Sequence, residues 1–342
     1  MHIVFYLLVF LLASEGLSLS DQGGEGIITL NYPPDLTVME LGLLSVSLNV
    51  PKGSVDSIKV GVNLEEEILK IVPDSEFECF SVHLEVGINI VSITAIKNRK
   101  KIDNIVFRVF LRSDLVSKYR KPPPEFKKDY FHSKDRSQCI ACHTLKLGKL
   151  DKRPVNIGAF ERESIPGDME RIGATSTCFS CHKSVTSYKY VHGPVAVWSC
   201  LFCHDPETEP VYSVKKPDTE VCFSCHVEQK NEWVNSKYIH GPLTMGNCSI
   251  CHNPHASDNL FNLIKPSWDL CINCHEGQAT GRHIIVGLYN EGHPTHGVLD
   301  PLRKGKELTC ASCHNPHASN YPKLWAMNVR SQFELCMKCH KY

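Results

Sequence analysis

Sixteen of the 17 cysteines in this 342-residue chain fall into one spacing. Cys139, Cys142 and His143 are followed by Cys178, Cys181 and His182, by Cys200, Cys203 and His204, and by Cys222, Cys225 and His226. The series continues through Cys248, Cys251 and His252, then Cys271, Cys274 and His275, then Cys310, Cys313 and His314, and ends at Cys336, Cys339 and His340. Two thiols at this spacing can add to the two vinyl groups along one edge of a haem, and the imidazole that follows directly reaches the iron from one face. One such motif could be half a zinc site or a redox dithiol. Zinc would need further ligands paired across motifs, and nothing makes a zinc site place His after the second Cys every time. The expectation is therefore eight covalently attached haem c groups, with the sixteen cysteines as thioether partners and the eight motif histidines as proximal iron ligands.

The remaining histidines support the same chemistry. Of 18 in the chain, eight belong to the motifs, His2 falls in the leader and His83 in a β-rich segment, which leaves His132, His192, His240, His255, His283, His293, His296 and His317. Eight spare imidazoles for eight irons are read as distal axial ligands, so that every iron is expected to be six-coordinate. For any one of them the bland alternative is a loop histidine, most of all for the closely spaced His293 and His296. His255 and His317 each follow a proximal histidine by three residues, across a proline. Proline fixes its own φ and drives the preceding residue away from helix, so neither ring can reach round to the other face of the same iron. Each is expected to serve a different haem. Bis-His ligation keeps the potential low, whereas methionine would raise it. Met245, between His240 and Cys248, is assigned to packing, and the leftover Cys79 is expected to be a buried, inert thiol.

Alignment of the motifs reveals a repeat. His192-Gly193-Pro194 and His240-Gly241-Pro242 stand before Cys200 and Cys248, and Cys-His-Asn-Pro-His-Ala-Ser occurs at 251–257 and again at 313–319. The motifs group as the pairs 139/178, 200/222, 248/271 and 310/336. This pattern resembles the doubled-CxxCH multihaem cytochromes, which are related in style to the cytochrome c3 group. The resemblance covers residues 132–342 and implies a periplasmic or extracellular electron-transfer protein with closely stacked bis-His haems. The second pair departs from it with Asp205-Pro206-Glu207 where the third has Asn253-Pro254-His255, and the first offers only His132 in place of His-Gly-Pro.

The elements that must carry these residues differ sharply along the chain. Residues 131–342 spend too little polypeptide on each motif to wrap a conventional core around it, so the haems are expected to be the core, enclosed by short helices and loops. Residues 27–112 instead hold seven short runs rich in β-branched residues, separated by turn residues, which read as an immunoglobulin-like β-sandwich of bacterial type. Residues 113–130, with basic side chains around Pro122-Pro123-Pro124, read as an extended linker. Residues 1–20 read as a signal peptide, because the apolar run at 3–12 suits an h-region and is too short to span a bilayer. No later segment approaches transmembrane length. The protein is thus expected to be exported.

Formal net charge is zero, yet residues 120–342 hold 27 Lys and Arg against 22 Asp and Glu. Two propionates per haem would make the loaded protein acidic. No nucleic-acid motif is present. Two function classes remain. An electron conduit would meet redox partner proteins or extracellular electron acceptors, as a soluble carrier or through self-association into a filament in which a neighbouring copy supplies a distal histidine. A multihaem reductase of nitrite, hydroxylamine or a sulfur compound would need one open iron, and none of the eight motifs replaces its histidine by lysine. The conduit, not an enzyme, is the expectation.

Overall fold

The computed structural model describes residues 26–342 except 64, 66, 135–136, 141–142, 149–150, 152–175, 280–282, 287–291 and 341–342. The expected signal peptide and Cys142 lie outside the described residues. The chain divides into two compact units, one made of residues up to Leu36 with Leu43–Leu84 and Ile88–Val109, the other of Thr37–Gly42, Glu85–Gly87 and Phe110 onward.

The strands of the N-terminal region are β1 (Thr29–Tyr32), β2 (Thr37–Met39), β3 (Leu43–Asn49), β4 (Ser57–Val62), β5 (Leu69–Ile71), β6 (Phe77–His83), β7 (Gly87–Lys97) and β8 (Lys100–Leu111). One sheet runs β1-β3-β6 and a second contains β5-β4-β7-β8 in that order. This is the all-β sandwich expected. Its core follows the two-residue period of a strand. Leu44, Val46 and Leu48 on β3, Ile58 and Val60 on β4, Val91, Ile93 and Ala95 on β7, and Phe107 and Val109 on β8 are buried, while Ile88 and Ile90 face outward on the other parity of β7. Asn98 and Arg99, at φ 50° and 62°, make the two-residue left-handed turn that joins β7 to β8 and matches the twist of paired strands. Cys79 corrects an expectation: it is exposed. It lies opposite Ser47 on β6, on the outward parity relative to Val82, which is 2% exposed.

In the second unit, residues 113–130 carry a 3-10 turn at Ser117–Tyr119 and a short strand β9 (Lys127–Lys128) that pairs in parallel with Thr37 and Val38. Phe126 is buried and sets its ring 5.8 Å from that of Phe110. The stretch read as an extended linker thus carries an aromatic anchor just beyond its prolines.

From residue 131 onward the described helices are short, the longest being Val227–Val234 and Gln332–Cys339 at eight residues each. Among the described residues there, the buried apolar side chains are Ala196, Trp198, Ala256, Leu270, Leu308, Ala318, Trp325 and Val329. Few of these are large, so their burial contributes little against the conformational entropy of the described residues. Among the described residues, no helix is long and apolar enough to cross a membrane.

Candidate metal centres

Each motif is locally one turn of helix. The histidine N–H donates to the carbonyl of the first cysteine in all eight copies, from His143 to Cys139 at 2.9 Å through to His340 to Cys336 at 2.9 Å. Residues i, i+3 and i+4 of a helical turn share a face, so the two cysteines and the histidine project together. The described motif cysteines are free thiols.

Facing these turns stand the spare histidines. His192 lies parallel to His226 with ring centroids 6.2 Å apart, and His255 to His204 at 5.8 Å with an interplanar angle of 1°. His240 faces His275 at 6.1 Å and His317 faces His252 at 5.9 Å. His132 stands 6.1 Å from His182, His283 stands 5.9 Å from His314, and His293 stands 6.2 Å from His340, these last two pairs with nearly perpendicular planes. Two imidazoles binding one metal from opposite sides, with bonds of about 2 Å and the ligating nitrogen roughly 1 Å from the ring centre, place their centroids about 6 Å apart. Direct packing would bring the rings closer, as Trp233 on His317 at 4.1 Å illustrates.

Hydrogen bonds at Nδ1 leave Nε2 available. The Nδ1–H of His204 donates to the Tyr212 carbonyl at 2.8 Å, that of His252 to Phe261 at 2.8 Å and that of His314 to Lys323 at 2.7 Å. His192 uses the Pro254 carbonyl at 2.9 Å. A second hydrogen bond of this kind fixes the tautomer and orients a metal-binding imidazole. The three acceptors Tyr212, Phe261 and Lys323 all adopt left-handed φ, 65°, 59° and 58°, which costs energy in a bulky residue and is typically retained where geometry serves a site. His255 departs from this pattern. Its buried Nδ1 has no hydrogen-bond partner. Burial, then the neighbouring His204, holds its pKa down at about 4, and burial followed by His252 does the same for His317. Both rings are neutral at ordinary pH, the form that binds a metal.

The repeat explains how rings from different pairs meet. Tyr190–Val191 pairs with Ala256–Ser257, and Tyr238–Ile239 pairs with Ala318–Ser319, in antiparallel two-residue ladders. The His192 N–H donates to the His255 carbonyl and the His240 N–H to the His317 carbonyl, each at 2.9 Å. The strand before each His-Gly-Pro thus docks on the His-Ala-Ser of the following pair. The same docking brings His192 to the second motif of its own pair and His255 to the first motif of the pair before.

Cysteines of successive pairs also touch. The thiols of Cys178 and Cys200 hydrogen-bond, which pulls Cys178 down to about 7 and pushes Cys200 up. The same contact joins Cys222 to Cys248 and Cys271 to Cys310. Buried aspartates brace the junctions. Asp151 accepts from Ser176 Oγ at 2.8 Å, Thr177 Oγ1 at 2.6 Å and the Gly148 N–H at 2.8 Å. Asp218 accepts from the Ser249 N–H at 2.7 Å, and Asp300 from Arg303 Nε at 2.7 Å. Burial raises the pKa of all three, but hydrogen bonds led by Thr177 for Asp151, Lys216 for Asp218 and Ser312 for Asp300 outweigh it and hold each carboxyl below its ordinary value. Neither the aspartates nor the strained carbonyl acceptors were apparent in the sequence, because their roles depend on backbone angles and on contacts between repeats.

Two expected site residues stand apart. His296 is exposed and stacks on Trp268, centroids 3.9 Å apart. Trp268 Nε1 donates to Thr295 Oγ1 at 3.2 Å, so the turn through Pro294-Thr295 directs the ring to the indole rather than towards a motif histidine. His143 is half-buried, and among the described residues none of the spare rings stands against it at the common separation. Met245, assigned to packing, is 76% exposed.

The side chains present fit haem c: paired thiols beside the motif histidines, imidazoles set one metal-width apart, and an orphaned buried nitrogen. Comparison with known proteins points the same way. The family described as "Doubled CXXCH motif" matches residues 192–231, 240–280 and 300–342. The multihaem cytochrome MtrA of Shewanella baltica (strain OS185) is 32% identical over 233 residues, which cover 60% of this chain and 64% of that protein. The chain therefore spans just under two thirds of that relative's length. A solved structure of fibronectin(III)-like modules of Clostridium thermocellum CbhA is similar to 25% of this chain and covers 94% of its own, at 13% identity and a TM-score of 0.21.

Proposed function

We propose that this chain, a multihaem c-type cytochrome of the doubled-CXXCH kind, passes electrons along eight haems ordered in space as they are in sequence. The observation that carries the proposal is the set of seven imidazole pairs at 5.8–6.2 Å, each joining one motif histidine to one spare histidine. When bound, haem supplies a one-electron iron centre of low potential under bis-His ligation. The protein's part is to present and orient each imidazole. The distal assignments follow the pairs: His132 with His182, His255 with His204, His192 with His226, His317 with His252, His240 with His275, His283 with His314 and His293 with His340. The thiol contacts 178/200, 222/248 and 271/310 put successive pairs side by side, which is the arrangement a conduit needs.

In this reading the chain is exported, acts in the periplasm or outside the cell, and exchanges electrons with redox proteins or an extracellular acceptor, as a single molecule or as a filament. The decisive measurement is haem stoichiometry with potentiometry on the purified protein. We expect eight haems per chain by pyridine haemochrome assay and at least seven low-spin centres titrating below 0 mV. Fewer than seven low-spin centres would overturn the ligand pairing. Reduction of nitrite, hydroxylamine or a sulfur compound with steady turnover would favour the reductase reading.

A further inference from the structure

An indole lies against one of the paired imidazoles, and a short helix puts it there. Val227–Val234 is helical directly after the motif histidine His226, whose carbonyl accepts from the Lys230 N–H at 3.0 Å. Trp233 falls in the second turn of that helix. Its ring lies over His317, with centroids 4.1 Å apart and planes at 15°. The same ring stands 6.3 Å from Phe223, which lies between Cys222 and Cys225. Trp233 therefore reaches from the motif 222–226 to the imidazole that faces His252.

The main chain at His317 is pinned from both sides. Its N–H donates to Asn315 Oδ1 at 3.0 Å, and its carbonyl accepts from the His240 N–H at 2.9 Å. What the backbone leaves open is rotation of the side chain, which for an imidazole is broad about its outer torsion. A flat indole in face contact closes that freedom, because turning the imidazole would drive its edge into the indole. The observed plane lies within 14° of parallel to His252. The repeat marks this brace as particular to one centre: Trp233 stands seven residues before His240, and the residue seven before His192 is Val185.

We propose that Trp233 is a positioning residue for His317, its indole fixing the plane of that imidazole parallel to His252 and so setting the electronic structure of the centre they share. This rests on the haem reading above. An axial imidazole donates π density into the iron d orbital perpendicular to its own plane. Two parallel rings act on the same orbital and split it from its partner, whereas rings turned apart act on both and narrow the splitting. The orientation of the ligand is thus a lever on the spectrum and potential of the centre.

The test uses the full-length holoprotein, with haem counted in every sample. Oxidised wild type, Trp233→Leu and Trp233→Phe are compared by low-temperature electron paramagnetic resonance and by spectroelectrochemical titration. Trp233→Leu should keep the wild-type haem count, displace one low-spin signal with the intensity of one haem, and shift one wave of the titration. Trp233→Phe, which retains an aromatic face, should restore the wild-type signal. The shifted wave should be the one that His317→Met shifts, and the two substitutions together should do less than the sum of each alone, since Trp233 acts through His317. Should Trp233→Leu lose haem, Trp233→Met, flexible and apolar, is read in its place with the same expectation. Spectra and titration identical to wild type overturn the proposal. So does an equal displacement in Trp233→Phe, which would make bulk rather than a ring face the cause, and so does simple additivity with His317→Met. Failure of the haem reading would show in the wild type itself, as missing haems or too few low-spin centres, whereas failure of the positioning role leaves both counts intact.

Discussion

Two imidazoles that face each other need not be equal partners. His204 has its Nδ1–H on the Tyr212 carbonyl at 2.8 Å, while the opposing His255 is buried with no acceptor. A hydrogen bond at Nδ1 makes an imidazole a stronger donor to metal, so His255 is the weaker member of its pair. Replacing His255 by Met should raise the potential of one centre, the one held by Cys200, Cys203 and His204, and leave the centre on Cys248 and Cys251 unchanged. Spectroelectrochemical titration would show a single displaced wave, and a titration identical to wild type would remove His255 from the ligand set. In the sandwich, Asp35 accepts from Arg108 Nη2 at 2.6 Å and from the Arg108 N–H at 2.7 Å. Burial raises its pKa, but the Arg108 hydrogen bonds and charge overcome this and hold it below the ordinary carboxylate value. A depressed carboxylate contributes stability above its unfolded pKa, and that contribution is lost as pH falls through the folded value. The pair is well exposed, so Asp35→Asn should cost no more than about 1 kcal/mol at neutral pH. The variant should also show a shallower loss of stability on acidification, measured by urea denaturation between pH 7 and pH 3.

The two kinds of element in the chain owe their stability to different things. Ile58 is fully buried in β4, between β5 and β7, and Ile58→Ala should destabilise the sandwich by about 2–5 kcal/mol. Equilibrium denaturation followed by far-ultraviolet circular dichroism would register this, with the haem absorption untouched. A loss below 1 kcal/mol would mean that Ile58 is not part of the core. Such strands were legible because alternation marks them: Leu44, Val46 and Leu48 announce β3 without help from the rest of the chain. The parity of Cys79 was not, since a thiol fits either face and only its register against Ser47 turns it outward. Likewise, the proline run at 122–124 looked like a tether until Phe126 was seen packed on Phe110. In the second unit the eight motifs were plain from spacing, but the partners of the spare histidines were not. Pairing runs through ladders such as Val191 on Ala256, between segments far apart in sequence. Counting alone also gave no sign that His296 would stack on Trp268.

Taken whole, the molecule holds a region with an apolar core of its own and a region built around the repeated motifs. Among the described residues from 131 onward the large buried apolar groups are Trp198, Leu270, Leu308, Trp325 and Val329, so in the haem reading the order of this region is expected to depend on the bound cofactors, as small metal domains depend on metal. Produced in a host that cannot attach haem, the chain should keep β-type circular dichroism while residues 131–342 are digested by a dilute protease within minutes. Protection of that region in the haem-free chain would contradict the cofactor-as-core account. The docking of each His-Gly-Pro strand on the His-Ala-Ser of the next pair has a temporal side as well. His226 meets a ring, His192, that precedes it, whereas His204 and His252 meet His255 and His317, which follow in the next pair. Were the chain to emerge N-terminus first, His226 and His275 would meet their partner rings, His192 and His240, at once, while His204 and His252 would wait for the following pair. Assembly of these two middle pairs would then run like a zip fastener, whereas the last pair, whose partners His283 and His293 precede it, would need no such wait.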